Sequence, residues 1–264
     1  MKDIRDVIFK NIIDKKFQAQ LIPEKDGCLS GIDDALQLAK EIGAELEIYH
    51  KDGDWVEKGK IIGMIAATPK NMALAEEKII GTLSKFSGIA TAARKAVELS
   101  EGKIQIVSGA WKKMPPAIKN SVRMAVAAGG ASFRVTQDDM IYLDKNYIKM
   151  LGSIPAALSS VKEFTLHTKV IQIKGKQYTV EEETIQALEN GGTFLMVDTG
   201  NAEDANACSK IVKAMGLREQ VKIAFAGEVK LSQIKELTEL DIDVIDIGKE
   251  IIDAQLLDIR LDVI

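Results

Sequence analysis

Charged residues and glycines recur in this sequence at one kind of place, the end of a short apolar run or the residues soon after it. Lys112 and Lys113, Arg134, Asp144 and Lys145, Lys174, Asp198, Gly227 and Gly248 all stand there. A mouth lined with that many cations suits an anionic ligand, a phosphate or a carboxylate. Asp198 and Asp144 have the oxygen chemistry to hold a magnesium ion or the hydroxyls of a sugar. Gly227 and Gly248 would let backbone N–H groups come close to a phosphate. A plainer reading exists for each residue. A lysine after a strand is commonly a solvated loop residue. A strand-terminal aspartate such as Asp198, followed by Thr199-Gly200-Asn201, commonly caps the next helix. It is the coincidence of many such ends that points to an anion-binding site.

Residues placed this way need strands to carry them. From Lys103 onward short apolar runs alternate with helical stretches. The runs are 104–107, 131–134, 140–144, 170–174, 193–198, 221–226 and 243–248, and helices are expected at 181–189, 202–215 and 231–240. Such alternation predicts a parallel sheet with helices outside it, and function gathers at the C-terminal strand ends of that architecture. Seven runs fit a barrel better than an open sheet. The first 99 residues read differently. Helices are expected at 4–14 and 33–42, with Gly43 to stop the second, and strands at 45–49 and 61–66 around the turns of Asp52-Gly53 and Lys58-Gly59. A long helical stretch, 73–99, is expected to break at Ser87-Gly88. The expected domains are therefore 1–99 and 100–253, with 254–264 alternating again and a candidate to rejoin the first.

Composition narrows the classes. The 35 Lys and Arg against 39 Asp and Glu give a net charge of −4, with both signs mixed, so neither nucleic acid nor a membrane surface is the expected partner. No apolar stretch nears the roughly 20 residues that span a bilayer, and 1–6 lack a signal-peptide core, so a cytoplasmic protein is expected. Cys28 and Cys208 stand alone, and His50 and His167 are the only histidines, which argues against a disulfide and against structural zinc. No G-x-S-x-G elbow is present for a serine hydrolase.

Phe86-Ser87-Gly88-Ile89-Ala90-Thr91 resembles the LSGIAT segment of quinolinate phosphoribosyltransferases. Further matches lie in order along the chain: Asp52-Gly53 and Lys58-Gly59, Ala125 to Gly130 with AVxxGGG, and Phe133-Arg134 with His-Arg. Asp144-Lys145-Asn146-Tyr147-Ile148 resembles K-D/E-N-H-I, Val197-Asp198 resembles L-D-N, and Phe225 to Val229 resembles A-S-G-G-I. The resemblance implies an amino-terminal α/β sandwich followed by a seven-stranded parallel α/β barrel, an incomplete TIM-like fold. It also implies a homodimer whose site is completed by the neighbouring sandwich, and transfer of phosphoribose from phosphoribosyl pyrophosphate to quinolinate with Mg2+ present. Carried over by position, it makes Lys112, Lys113, Arg134, Lys145 and Asp198 the catalytic candidates, with Asp198 the candidate metal ligand. Lys119, Asp144, Lys174, Gly227 and Gly248 become the substrate and phosphate contacts.

The departures fall on the same positions. T-R-K-T-x-P is Trp111-Lys112-Lys113-Met114-Pro115-Pro116, and lysine lacks the planar fork with which arginine grips a carboxylate. A later arginine is Lys119, and the histidine before Arg134 is Phe133. The lysine of K-D-N-H has moved one place to Lys145, a shift that reverses the face to which a strand residue points. Glu-Arg before the SGIAT run is Glu76-Glu77. V-E-V-E is Ile171-Gln172-Ile173-Lys174, without the ribose-holding acids. The phosphate loop reads Ala226-Gly227-Glu228, and G-x-L-T-H-S is Gly248 to Asp253. Ordinary quinolinate turnover is thereby set against two alternatives: a site repurposed for another anionic small molecule, and a catalytically silent dimeric scaffold.

Overall fold

The computed structural model describes residues 3–264, which divide into two compact units. The first runs to Lys95 and takes in Trp111–Ala131 and Ile251–Ile264; the second comprises Ala96–Ala110 and Ser132–Glu250.

In the first unit, strands β1 (Phe17–Pro23), β2 (Gly27–Cys28), β3 (Glu45–Ile48), β4 (Trp55–Val56) and β5 (Gly63–Ala67) form in chain order. β1 sits between β5 and the C-terminal strand Ile259–Val263, antiparallel to both, and β3 closes the other edge beside β5. The alternation in β1 and β5 turns Ala19, Leu21 and Ile65 inward, where they are fully buried with Leu29, Ile62, Ile79 and Leu83. The helix Ile32–Ile42 adds Ile32, Ala35 and Ala39 from one face, and Gly43, at φ +74°, ends it by donating to the Ala39 and Lys40 carbonyls.

Two helical expectations change. The helix expected over 4–14 spans only Ile4–Ile8; none of its side chains is buried, and a helix without tertiary packing does not extend. The break expected at Ser87-Gly88 is absent, since the helix Gly81–Leu99 passes through it, and the irregular turn lies earlier, at Glu76–Ile80, which is π-helical. Gly88 serves close approach instead: a β-carbon there would lie 2.2 Å from the Gln255 carbonyl oxygen. The polar residues of this helix tie down loops. The Ser87 hydroxyl accepts from Ser30 N–H, the Thr91 hydroxyl accepts from Cys28 N–H, and Arg94 donates to the carbonyls of Gly53, Ala128 and Gly129.

The second unit is built on a six-stranded parallel sheet, ordered β6 (Gln105–Val107), β11 (Val244–Asp246), β10 (Lys222–Ala226), β9 (Phe194–Asp198), β8 (Thr168–Ile173) and β7 (Met140–Leu143). Val107, Val170, Phe194, Met196, Ala224 and Val244 pack on its inner face, with Met140 and Tyr142 beside them, so both ends of the strand order feed one core. The seventh expected run, 131–134, is reduced to a single bridge between Ser132 and Val107. After it the chain leaves the sheet: Val135 enters the inner core, and Thr136 to Asp138 line a cavity of about 470 Å³ with Gln105, Thr168 and Lys222, at the N-terminal strand ends. The expected helix 231–240 divides into a 3-10 turn, Leu231–Gln233, and the short helix Ile234–Leu237.

An ion network fastens the N-terminal ends of β10 and β11. Asp241 meets Arg218 at 2.9 Å and Lys213 at 3.0 Å and accepts from the Ser209 hydroxyl, while Asp243 meets Arg218 and Lys222. Burial pushes the Asp241 carboxyl up, but Arg218, Ser209 and Lys213 together hold it well below the usual carboxylate range. A carboxylate lowered in this way stabilises the fold above its unfolded pKa, near 4, and loses that contribution as pH falls below it. Asp241→Asn is therefore expected to lower stability at pH 7 by about 1–2 kcal/mol, after allowance for a side chain over a third open to water. The deficit against wild type should shrink as denaturation curves are repeated from pH 5 down to pH 2; a deficit independent of pH would contradict the assignment.

Candidate functional site

Register fixes which side chains share the inner face at the C-terminal strand ends. Side chains alternate along each strand, so residues two apart from the inner core continue it: Tyr142 and Asp144 on β7 and just past it, Gln172 and Lys174 on β8, Asp198 on β9, Asp246 on β11. Asp198 is the centre of this layer. Its Oδ2 lies 3.2 Å from Lys174 Nζ and accepts from Gln172 Nε2 at 2.6 Å, and Lys174 Nζ donates also to the Asp198 carbonyl. Gln172 Oε1 accepts from Lys145 N–H at 2.7 Å, which ties β8 to the start of the helix Lys145–Leu151.

Around this centre the remaining acids are held by backbone. Asp144 Oδ1 caps that helix, accepting from the N–H groups of Asn146 and Tyr147. Asp246 Oδ1 accepts from Gly109 N–H at 2.9 Å. The buried Glu183 accepts from the N–H groups of Lys174 and Gly175, shaping the loop after β8. Burial pushes the Tyr142 hydroxyl far above its ordinary pKa, and Asp246, Asp198 and Asp144 push it the same way, so it remains a hydrogen-bond donor.

The loops after β9 and β10 lie against each other. Gly200 N–H donates to the Ala226 carbonyl, and Gly227, at φ +112°, packs on the backbone of Thr199 and Gly200. Glu228 follows at φ +55°, a left-handed conformation that glycine takes at no cost and glutamate does not. The backbone there takes a glycine-type conformation while the side chain is an exposed carboxylate.

The sequence candidates thus separate. Asp144, Lys174 and Asp198 meet in one layer, with Gly227 in the adjoining loop. Lys145 lies outside the inner face, exposed at the first turn of its helix. Arg134 donates to the Asp138 carbonyl, beside the cavity at the opposite strand ends. Gly248 follows β11, two residues beyond Asp246. Lys112, Lys113 and Lys119 belong to the first unit, as does Trp111, whose ring carries the Arg123 guanidinium at 3.7 Å. Lys112 and Lys113 are exposed in a 3-10 turn and Lys119 opens the helix Lys119–Ala128. Tyr142, Gly200 and Asp246 were absent from the sequence candidates; counting two-residue steps back from the strand ends would have found the tyrosine and Asp246.

Among the described residues no three or more His, Cys, Asp or Glu side chains are grouped to hold an ion, and the Asp198 oxygen is engaged by an ammonium.

A family model for the quinolinate phosphoribosyl transferase N-terminal domain matches residues 6–87, and one for the C-terminal domain matches 89–262. The chain belongs to the quinolinate phosphoribosyltransferase family. A probable carboxylating nicotinate-nucleotide pyrophosphorylase of Archaeoglobus fulgidus is 28% identical over 254 residues, covering 95% of each chain. The corresponding Methanothermobacter thermautotrophicus protein is 23% identical over 265 residues, covering 98% of this chain and 93% of its own. Among solved structures, the nicotinate-nucleotide pyrophosphorylase of Francisella tularensis superposes with a TM-score of 0.82 at 20% identity, over 98% of this chain and 90% of the other. That of Pyrococcus furiosus gives 0.81 at 21%, over 100% and 75%. At these identities the superpositions establish the fold, an α/β protein with a small amino-terminal sheet domain and a parallel-sheet domain. No helix among the described residues is long and apolar enough to cross a membrane.

Proposed function

We propose that the protein transfers phosphoribose from phosphoribosyl pyrophosphate to the ring nitrogen of an anionic aromatic heterocycle, releasing pyrophosphate. The observation that carries this reading is the inner-face layer of Asp144, Gln172, Lys174 and Asp198 at the C-terminal strand ends, in a chain that both family domains match end to end. In the transfer, the bond from ribose C1 to the pyrophosphate oxygen breaks and its electron pair leaves with pyrophosphate. The ring nitrogen's lone pair forms the new bond. Positive charge gathers on the sugar as the old bond lengthens, and the fixed carboxylates of Asp144 and Asp198 stabilise it more than the neutral ground state. The glycine backbone after β10 offers N–H groups to the donor's phosphate. Magnesium, on this reading, arrives on the donor's pyrophosphate oxygens as part of the substrate. The homodimer that the resemblance implies belongs to the same proposal.

A second reading has specific support. Lys174 already neutralises Asp198, and Glu228 places a negative charge in the phosphate loop. Both favour a repurposed site that binds another anion without pentosyl transfer. Pyrophosphate release separates the two. Purified protein given phosphoribosyl pyrophosphate, magnesium and quinolinate or a related heterocycle is expected to release it, and a chelator to stop it. Folded protein that releases none with any such acceptor contradicts the proposal and favours the second reading.

A further inference from the structure

Side chains two residues apart share the inner face toward the N-terminal strand ends as they do toward the C-terminal ones. Gln105, Thr168 and Lys222 stand two residues before Val107, Val170 and Ala224 of the inner core, and all three line the cavity of about 470 Å³ at those ends. The cavity lies wholly within the second unit. Its floor is the core itself, through Val135, Phe194 and Val244. On β9 the inner face runs Phe194, Met196, Asp198, so a buried methionine separates that floor from the acidic layer.

Most of the wall is polar and uncharged. The amide-bearing Gln105, Gln137 and Gln220 line it, with the hydroxyl-bearing Thr136, Thr168 and Thr193. Amides and hydroxyls both donate and accept. Lys222 Nζ is already paired, 2.9 Å from Asp243 Oδ1, and Arg218 meets Asp243 Oδ2 at 3.0 Å. Asp138 differs. Its Oδ2 accepts from the Thr136 hydroxyl at 3.3 Å, while Arg134 beside it donates to the Asp138 backbone carbonyl rather than to the carboxylate. An anion would meet an ammonium that Asp243 has neutralised, and an apolar ligand would strip water from the amides without replacing its hydrogen bonds. A hydroxyl-rich neutral molecule matches the wall, because its groups also donate and accept and its O–H groups can donate to Asp138. The volume falls in the range of small-molecule pockets, roughly 300–1,000 Å³. The ion network of Arg218, Asp241 and Asp243 fixes the starts of β10 and β11, which holds part of the wall in place before a ligand arrives.

We infer that this cavity is a further small-molecule site, separate from the acidic layer, and that it takes an uncharged sugar or cyclic polyol. Asp138 and the glutamine amide oxygens accept from the ligand hydroxyls, and the threonine hydroxyls and amide N–H groups donate to them. The inference is independent of the transferase reading, since Asp144, Lys174 and Asp198 take no part in the cavity lining. Glucose, ribose and myo-inositol are titrated into the full-length protein and followed by ligand-detected NMR, with thermal melts to confirm folding. The same titrations are run on Gln105→Leu/Thr168→Val, on Asp138→Asn and on Asp198→Asn. At least one probe is expected to bind wild type and Asp198→Asn alike, and saturably. Its affinity should fall about fivefold or more in each of the two cavity variants, which lose hydrogen bonds to the ligand. If one cavity variant does not fold, the other decides. Failure of all three probes to bind wild type, or equal binding by a folded cavity variant, would overturn the inference. Binding lost with Asp198→Asn and kept by the cavity variants would overturn it too, because the sugar would then sit at the opposite strand ends.

Discussion

Asp198→Asn lowers the rate of pyrophosphate release by about 100-fold or more, the scale on which removal of a preorganised charge acts in a water-poor site. The substitution preserves shape and removes only the charge. Asp198 Oδ2 is the common partner of Gln172 and Lys174, and it sits on the inner face where charge would develop on the sugar. Some stability is lost as well, because Lys174 keeps its ammonium with no carboxylate opposite it. With both side chains about a quarter exposed, that loss is about 1–2 kcal/mol. Thermal melts beside initial rates separate the two effects: a melting shift of that size with a rate within threefold of wild type would make Asp198 a structural residue only.

Gly227→Ala destabilises the second unit by about 3–5 kcal/mol, on the scale of a clash added to a strained backbone. At φ +112° an alanine is already strained. Its β-carbon would also lie 2.4 Å from the Gly200 nitrogen and 3.0 Å from the Thr199 carbonyl carbon, both backbone atoms that no side-chain rotation can clear. The loop after β9 would have to move, and Asp198 with it. Gly216→Ala isolates the backbone part, since Gly216 sits at φ +72° with no atom within 4 Å of an added β-carbon. It should lose about 1 kcal/mol. Denaturation curves showing equal losses at the two glycines would contradict the packing argument.

Much of this architecture is legible as local pattern. The runs 170–174, 193–198 and 221–226 are predominantly apolar and bounded by turns; the first two end in Lys174 and Asp198 where alternation says they should, and Gly227 opens the turn after the third. The stop at Gly43 needs nothing beyond its own backbone. What fails is what depends on distant contacts. Ser87-Gly88 resembles a helix break in sequence and is a continuous helix, because the Gln255 backbone that Gly88 admits is 167 positions away. The run Ala131–Arg134 has strand-like composition, yet only Ser132 bridges to β6 and Val135 turns into the core. Arg134 therefore goes to Asp138 rather than to the acidic layer. The one-place shift of lysine to Lys145 is legible, but its consequence is set by the helix that starts there: Asp144 caps it and Lys145 lies exposed in its first turn.

The central claim is that the layer around Asp198 performs phosphoribosyl transfer. It is tested most directly by following pyrophosphate and the N-glycosidic product together, in one sample containing the protein, phosphoribosyl pyrophosphate, magnesium and quinolinate or a related nitrogen heterocycle. Both are expected in equal amounts with wild type, and both nearly vanish with Asp198→Asn. Absence of both with folded wild-type protein, or release of pyrophosphate without product, would contradict it.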